Sequence, residues 1–144
     1  VSHFRLWTEC FEKKEPIIVL EHDAFFIKKL DYQYLLDSKY DIIGINNPLG
    51  ATRRAQLFHD IIKKNKKDIQ PVPTIDEFNI PQGLAGNSAY IIKPSGAEKM
   101  IELVFKYGLW PNDALMCKQL VDNLGVSKTF YTRVQGLIST TTQH

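Results

Sequence analysis

The sequence predicts a single α/β domain over residues 1–144, with a mainly parallel central sheet flanked by helices. Three observations support this prediction. Short, continuous apolar runs rich in β-branched residues alternate with longer segments of helical periodicity. The length of 144 residues fits one domain that buries a core without disulfides or a structural metal. The composition, 44% hydrophobic and 24% charged, is that of an ordinary globular protein, and no repeat divides the chain.

Two strands are predicted in the first half of the chain. The preceding helix places Phe4, Trp7 and Phe11 on one face, beside Cys10. The run Ile17–Leu20 is short and continuously apolar, which is typical of a strand buried on both faces of a parallel sheet. The predicted elements are a helix over 2–14, a strand over 17–20, a mixed segment over 24–37, a strand over 41–46 and a helix over 51–67.

Proline and glycine mark the elements of the second half. Pro94 opens a helix that Gly108 ends, and Pro111 opens another that places Cys117 and Leu124 on one stripe. Residues 68–87 are rich in proline and glycine and form a long connection. The remaining predicted elements are a strand over 88–93, a strand over 128–134 and a loose tail over 139–143.

Charge, cysteine content and motifs exclude several classes of function. The net charge of +2 is too small to argue for nucleic-acid binding. Cys10 and Cys117 show no metal spacing, which indicates buried thiols in a reducing compartment and a cytoplasmic location. No apolar run approaches the roughly 18 residues of a transmembrane helix, and the motifs of phosphate-loop, dinucleotide-binding, zincin and serine-hydrolase enzymes are missing. The N-terminus shows no signal peptide. The chain begins at Val1 and not at Met, so we expect a processed product or an excerpt.

A candidate metal site follows the first predicted strand, which runs directly into Glu21, His22 and Asp23. In an extended strand Glu21 and Asp23 point to one side and His22 to the other. Ligands of open α/β sheets bind beyond the carboxyl ends of the strands, and two neighbouring carboxylates repel unless a cation lies between them. The pattern therefore indicates Mn²⁺ or Mg²⁺ held by Glu21 and Asp23. The alternative is a surface turn in which Glu21 caps backbone amides and Asp23 starts a helix.

Two further segments carry polar residues at the boundaries of elements. Gly86 allows close approach of the backbone to a ligand, and Asn87 and Ser88 supply hydrogen-bonding side chains there. A simple turn feeding a strand is the alternative. Asp113 lies in the first turn of a predicted helix, where it is either stabilised by free N–H groups or acts as a general base. Trp110 either stacks on a sugar ring or fills core.

Several short motifs keep a fixed order along the chain. The residues concerned are, in order, Ser2, His3, Leu6 and Trp7; Leu20, Glu21, His22 and Asp23; Gly86, Ala89, Tyr90, Ile92, Gly96 and Ala97; Pro111, Asn112 and Asp113; and Val134, Gln135, Ser139 and Thr140. In this order they resemble glycosyltransferase family 25, which includes bacterial lipooligosaccharide galactosyltransferases and the collagen galactosyltransferases. The sequence departs from the family pattern at His22, which stands where the family has an acid.

The resemblance implies a GT-A-type fold and transfer of a sugar such as galactose, with inversion, from a nucleotide donor that is usually UDP-linked. Glu21 and Asp23 would hold Mn²⁺ or Mg²⁺ against the donor diphosphate, and Asp113 would take the proton of the acceptor hydroxyl. The donor-binding residues implied are Gly86, Asn87, Ser88, Trp110, His3 and Gln135. For His3, a satisfied structural histidine is the alternative. The acceptor would be a glycan or glycoconjugate, as in lipopolysaccharide biosynthesis, in the cytoplasm of a bacterium or a phage-infected cell, with possible peripheral contact to the membrane.

The family pattern also includes a strand and a helix before its Ser-His motif, so a shortened chain is expected here. A non-catalytic remnant that binds a glycan or a protein is the main alternative function, and an unrelated α/β metal hydrolase is a more distant one. An open sheet edge left by the missing strand would favour pairing with a second chain, which predicts a possible homo-oligomer.

Overall fold

The computed structural model describes residues 3–50, 54–74, 83–84, 87–108 and 112–135, with residues 112 and 113 described by their backbone alone. Helices and strands are interspersed along it, and at several points two strands or two helices follow one another. None of the helices in these ranges is long and apolar enough to cross a membrane. The elements are α1 (His3–Lys13), β1 (Ile17–Leu20), β2 (Ala24–Phe26), α2 (Tyr32–Leu36), β3 (Ile42–Gly44), α3 (Ala55–Lys64), β4 (Ile69–Pro71), β5 (Ala89–Ile92), α4 (Pro94–Tyr107), α5 (Asn112–Leu115), β6 (Leu124–Ser127) and β7 (Thr132–Val134).

The main sheet is mixed, and most of its neighbouring strands are antiparallel. Its order is β1-β5-β3-β6-β4. Only β3 and β6 run parallel, whereas β1 with β5, β5 with β3, and β6 with β4 are antiparallel. The prediction of a mainly parallel sheet was therefore wrong. A continuous apolar run reports burial on both faces, and β5, β3 and β6 are buried throughout, but burial carries no information on strand direction.

Strand direction brings several loops to one edge of the sheet, which we call the upper edge. There β1, β3 and β6 end, and β5 and β4 begin. The turn after Leu20, the chain before Ala89 and the chain after Gly44 consequently lie side by side. A separate two-stranded sheet, formed by β2 and β7, starts from the same edge because β2 follows the turn after β1.

Two apolar clusters cover the faces of the main sheet. The first contains Trp7 of α1, Met100 of α4 and the strand residues Tyr90 and Ile92. The second contains Leu35 of α2 with the strand residues of the opposite face, among them Ile43, Ile45, Ala89 and Ile91. Neighbouring residues of one strand alternate between the two clusters, as the period of two in a β-strand requires.

Strand β1 differs from the prediction because it lies at the edge of the sheet. Val19 is buried, whereas Ile18 and Leu20 are 37% and 41% exposed. Only one face of β1 is covered, so the prediction of burial on both faces was wrong. In α1, Trp7 and Cys10 are buried as expected, but Phe11 is 41% exposed and does not belong to the buried face.

The region after Pro111 departs most from the prediction. The helix is the short α5, and Leu124 belongs to strand β6 rather than to a helical stripe. Gly125 lies within β6, where glycine is required because a Cβ would stand 2.6 Å from the ring of Tyr40. The predicted strand over 128–134 is confined to β7, which pairs with β2 in the second sheet and is joined to the chain after β3 by an isolated parallel bridge between Thr132 and Asn46. The connection over 68–87 contains the short strand β4, and the tail over 139–143 lies outside the described residues.

Candidate functional site

Three chain segments meet at the upper edge in a fixed register. The pairing of Leu20 with Ala89 continues by one residue, since the Glu21 N–H donates to the Ser88 carbonyl at 2.8 Å. On the other side of β5, the Ile45 N–H donates to the Ala89 carbonyl at 3.3 Å. Continued by one residue, this register sets Asn46 opposite Ser88. Ser88 therefore lies between Glu21 and Asn46, in a row across three strands.

The acidic segment forms a turn and not an extension of β1. The Ala24 N–H donates to the Glu21 carbonyl at 3.0 Å, which closes a turn over Glu21, His22 and Asp23. The strand period of two therefore does not apply to Glu21 and Asp23. The alternative of a surface turn was right about the turn, but the strand β2 follows it, not a helix. The close approach of the Glu21 and Asp23 carboxylates stays a prediction.

The end of β7 is attached to this turn. The Gln135 N–H donates to the Asp23 carbonyl at 2.7 Å, which continues the pairing of Ala24 with Val134. Gln135 is exposed. Its backbone thus lies beside the acidic turn, although it comes from the other end of the described chain.

Buried polar atoms without partners concentrate at the upper edge. Among the described residues, those without a hydrogen-bond partner are Asp23 Oδ1, Asn46 Nδ2, and both Nδ2 and Oδ1 of Asn87. Folded proteins pair the great majority of such atoms, because an unpaired buried polar group costs roughly 1–3 kcal/mol. These atoms belong to the three segments that follow β1, follow β3 and precede β5. Such a concentration is expected where a polar ligand completes the hydrogen bonding.

Asn46 is a candidate residue that the sequence interpretation missed. Its Oδ1 accepts a hydrogen bond from Thr132 Oγ1 at 2.9 Å, while its amide nitrogen has no partner among the described residues. The side chain is 8% exposed. The sequence pattern could have identified it, because Asn46 is the first polar residue after an apolar run that predicts a strand, as Glu21 is.

A chain of hydrogen bonds links Glu21 to the core. His3 Nε2 lies 3.1 Å from Glu21 Oε2, and His3 Nδ1 lies 2.7 Å from the hydroxyl of Tyr90. Trp7 Nε1 donates to the same hydroxyl at 2.9 Å. Burial raises the pKa of the Tyr90 phenol; the hydrogen bond from Trp7 lowers it and the charge of Glu21 raises it further. The net rise keeps the hydroxyl protonated, so it remains able to donate.

The residues of the acidic turn fit a hard divalent cation that a ligand helps to hold. No group of three or more His, Cys, Asp or Glu side chains suited to a metal occurs within the described ranges. Mg²⁺ and similar ions are commonly held by one or two carboxylates, with substrate phosphates and water completing the coordination. Asp23 Oδ1 has no partner among the described residues, and Glu21 is only partly covered, its side chain being 39% exposed. This oxygen-only set of two carboxylates suits Mn²⁺ or Mg²⁺ better than Zn²⁺.

The other predicted site residues are not brought into this arrangement by the described structure. Gly86 and Trp110 lie outside the described residues. Asp113 belongs to α5, and only its backbone is described. The assignment of Asp113 as the general base therefore stays a prediction.

A family model decides the identity of the chain. The model for glycosyltransferase family 25 (LPS biosynthesis protein) matches residues 1–116. The chain belongs to glycosyltransferase family 25. A comparison with curated proteins gave no match. The family match contains α1, the acidic turn, Asn46, the residues before β5 and Asp113, whereas Gln135 lies beyond it.

Proposed function

We propose that this family 25 glycosyltransferase moves a sugar such as galactose from a UDP-linked donor to a glycan or glycoconjugate acceptor, with inversion and with a divalent cation. The observation that supports this proposal is the concentration of unpaired buried polar atoms on Asp23, Asn46 and Asn87 at the upper edge. The upper edge would then be the nucleotide-binding edge of a GT-A-type fold.

The side-chain amides of Asn46 and Asn87 would bind the uncharged sugar and base of the sugar-nucleotide donor. An asparagine amide offers two N–H donors and a carbonyl acceptor in one plane. Sugar hydroxyls and the edge of a pyrimidine base present the same combination of donors and acceptors. Asn87 has both amide atoms unpaired among the described residues, and Asn46 has its nitrogen unpaired. Ser88, which lies between Asn46 and Glu21 across the strands, would supply its hydroxyl.

The carboxylates would bind the charged part of the donor indirectly. Two carboxylates near a diphosphate repel it, so Glu21 and Asp23 need a cation between themselves and the ligand. When bound, Mn²⁺ or Mg²⁺ neutralises charge on the leaving nucleotide. Glu21 and Asp23 would hold that ion with Asp23 Oδ1 as the oxygen that is unpaired in the described structure.

Asp113 would act on the acceptor. In an inverting transfer the acceptor oxygen attacks the anomeric carbon as the bond from that carbon to the diphosphate oxygen breaks. The acceptor proton passes to a carboxylate, and Asp113 matches the family motif at Pro111–Asp113. We place the reaction in the cytoplasm, on a lipopolysaccharide-type acceptor.

A screen of nucleotide sugars by thermal shift, with and without Mn²⁺, tests this proposal. UDP and UDP-sugars should stabilise the chain only when the ion is present, by about 2.7 kcal/mol at a hundredfold excess over the dissociation constant. Asp23→Asn should abolish this shift without unfolding the chain. Asp122→Asn is the matched control, because Asp122 is exposed and precedes β6 at the opposite edge of the sheet. A melting curve that no nucleotide changes would instead favour a non-catalytic binding module.

A further inference from the structure

We propose that His3, Tyr90 and Trp7 form a positioning relay that holds Glu21 through one fixed tautomer of the His3 ring. The role of Glu21 in donor binding rests on the function proposed above, whereas the relay itself rests on geometry. The relay joins three elements, since His3 and Trp7 lie on α1, Tyr90 lies on β5, and Glu21 follows β1.

The spacing on α1 places two members of the relay together. His3 and Trp7 are four residues apart and therefore lie on the same face of the helix. Their rings meet edge to face with centroids 6.3 Å apart. The His3 ring also stacks on Tyr90, with centroids 5.7 Å apart. The Ser-His-x-x-x-Trp spacing thus has a structural reason, because both side chains reach one phenol.

The chemistry of donors and acceptors assigns a direction to each hydrogen bond of the proposed relay. The indole N–H of Trp7 only donates, so the Tyr90 oxygen accepts from it. The Glu21 carboxylate only accepts, so in the proposed tautomer His3 carries its ring proton on Nε2, and Nδ1 accepts from the Tyr90 hydroxyl at 2.7 Å. An Nδ1 that accepts leaves the ring proton on Nε2, which lies 3.1 Å from Glu21 Oε2. The hydrogen bonds are therefore donated from Trp7 to Tyr90, from Tyr90 to His3, and from His3 to Glu21.

These hydrogen bonds indicate that His3 acts neither as a base nor as a residue that binds the sugar-nucleotide donor directly. Both ring nitrogens are engaged by protein side chains. A hydrogen bond from either nitrogen to a substrate would break the relay. The geometry therefore favours a positioning role for His3 over the direct donor contact that the family resemblance implies.

The relay has a physical consequence for Glu21. Its side chain is 39% exposed, and a glutamate with that exposure would otherwise sample several rotamers. The bond from His3 holds Oε2, while Oε1 has no hydrogen-bond partner among the described residues. Tyr90 is fully buried and Trp7 is 2% exposed, so the relay is anchored in the rigid core. A held carboxylate with one free oxygen is arranged to bind a cation without further ordering.

Nitrogen-15 spectroscopy of the histidine rings tests the relay without reference to activity. In the full chain at neutral pH, the His3 ring should show an unprotonated Nδ1 and a protonated Nε2. The signal is assigned by its loss in His3→Gln. A proton on Nδ1, or on both nitrogens, would overturn the proposal.

Two His3 variants test whether the relay serves the Glu21 site. The glutamine of His3→Gln keeps an N–H donor for Glu21, whereas His3→Leu keeps volume and removes the donor. With UDP and Mn²⁺ as probes, His3→Leu should weaken binding about tenfold, the lower range for loss of a residue that orients a metal ligand. His3→Gln should restore most of the affinity. Equal binding of UDP by His3→Leu and by the unmodified chain would contradict the positioning role of His3. Failure of the unmodified chain to bind UDP would refute the proposed function, and the nitrogen-15 spectrum of the His3 ring would then decide the relay on its own.

Discussion

Replacing Tyr90 by phenylalanine removes one oxygen from the centre of the relay and leaves the packing intact. Tyr90 is fully buried and Trp7 is 2% exposed, so neither water nor another side chain replaces the lost hydroxyl. The Trp7 N–H then remains buried without its acceptor, and His3 Nδ1 loses its donor. Stranding a buried polar group costs about 1–3 kcal/mol. We therefore expect a loss of about 2 kcal/mol in the free energy of unfolding, or roughly 4–8 °C in Tm for a chain of this size.

The assay is a double-mutant cycle with Trp7→Phe, followed by denaturant unfolding. Trp7→Phe removes the N–H along with part of the indole volume, so the double variant has no stranded indole donor. The cycle should show a coupling energy of about 1 kcal/mol between the two positions. Tyr40→Phe is the matched control, because Tyr40 is also buried and its hydroxyl makes no hydrogen bond within the described structure. A Tyr90→Phe variant as stable as the Tyr40→Phe variant, or strictly additive effects in the cycle, would refute the reasoning.

Three further predictions concern packing, ionisation and chemistry. Gly96→Ala should lose about 1–3 kcal/mol of stability in denaturant melts, because the new Cβ would stand 2.7 Å from the Asp41 carbonyl oxygen; unchanged stability would show that α4 is not tightly seated on β3. Burial raises the pKa of the Cys10 thiol to about 11 from 9.0, so the unfolded chain loses this proton first as pH rises. The free energy of unfolding should therefore fall between pH 9 and 11. Cys10→Ala should make that fall shallower in melts across this range, and an identical slope would contradict the raised pKa of Cys10. Asp113→Asn should retain binding of UDP with Mn²⁺ but lose sugar transfer in a product assay, and a variant that still transfers sugar would exclude Asp113 as the base.

Local sequence pattern located β1, β3, β5 and part of β7, missed β2, β4 and β6, and did not determine strand direction. The runs at Ile42–Gly44 and Ala89–Ile92 are apolar because both faces of the sheet are covered, and this made them recognisable. Their antiparallel pairing depends on how the connecting segments return, which no local pattern encodes. Gly125 shows the same limit. It follows the predicted helical stripe that ends at Leu124, but glycine is required there because the Tyr40 ring packs against the strand.

The candidate site could be predicted in part for similar reasons. Polar residues next to buried strands pointed to Glu21 and Ser88, and the structure pairs their backbones. The relay was not predictable from spacing alone, because Trp7 and Tyr90 are separated by 83 residues and meet only in the folded chain. Tyr90 was recognised as part of a motif, but the role of its hydroxyl depends on that tertiary contact.

The most direct test of the donor site is paramagnetic broadening of amide signals by Mn²⁺ in the presence of UDP. If the ion binds at the acidic turn, the amide signals of Glu21, Ser88 and Gln135 should broaden first, because their backbones meet at the upper edge. The amide of Asn123, just before β6 at the opposite edge, should keep its intensity, and Asp23→Asn should remove the broadening. Broadening centred on Asn123, or unchanged by Asp23→Asn, would contradict a donor site at the upper edge.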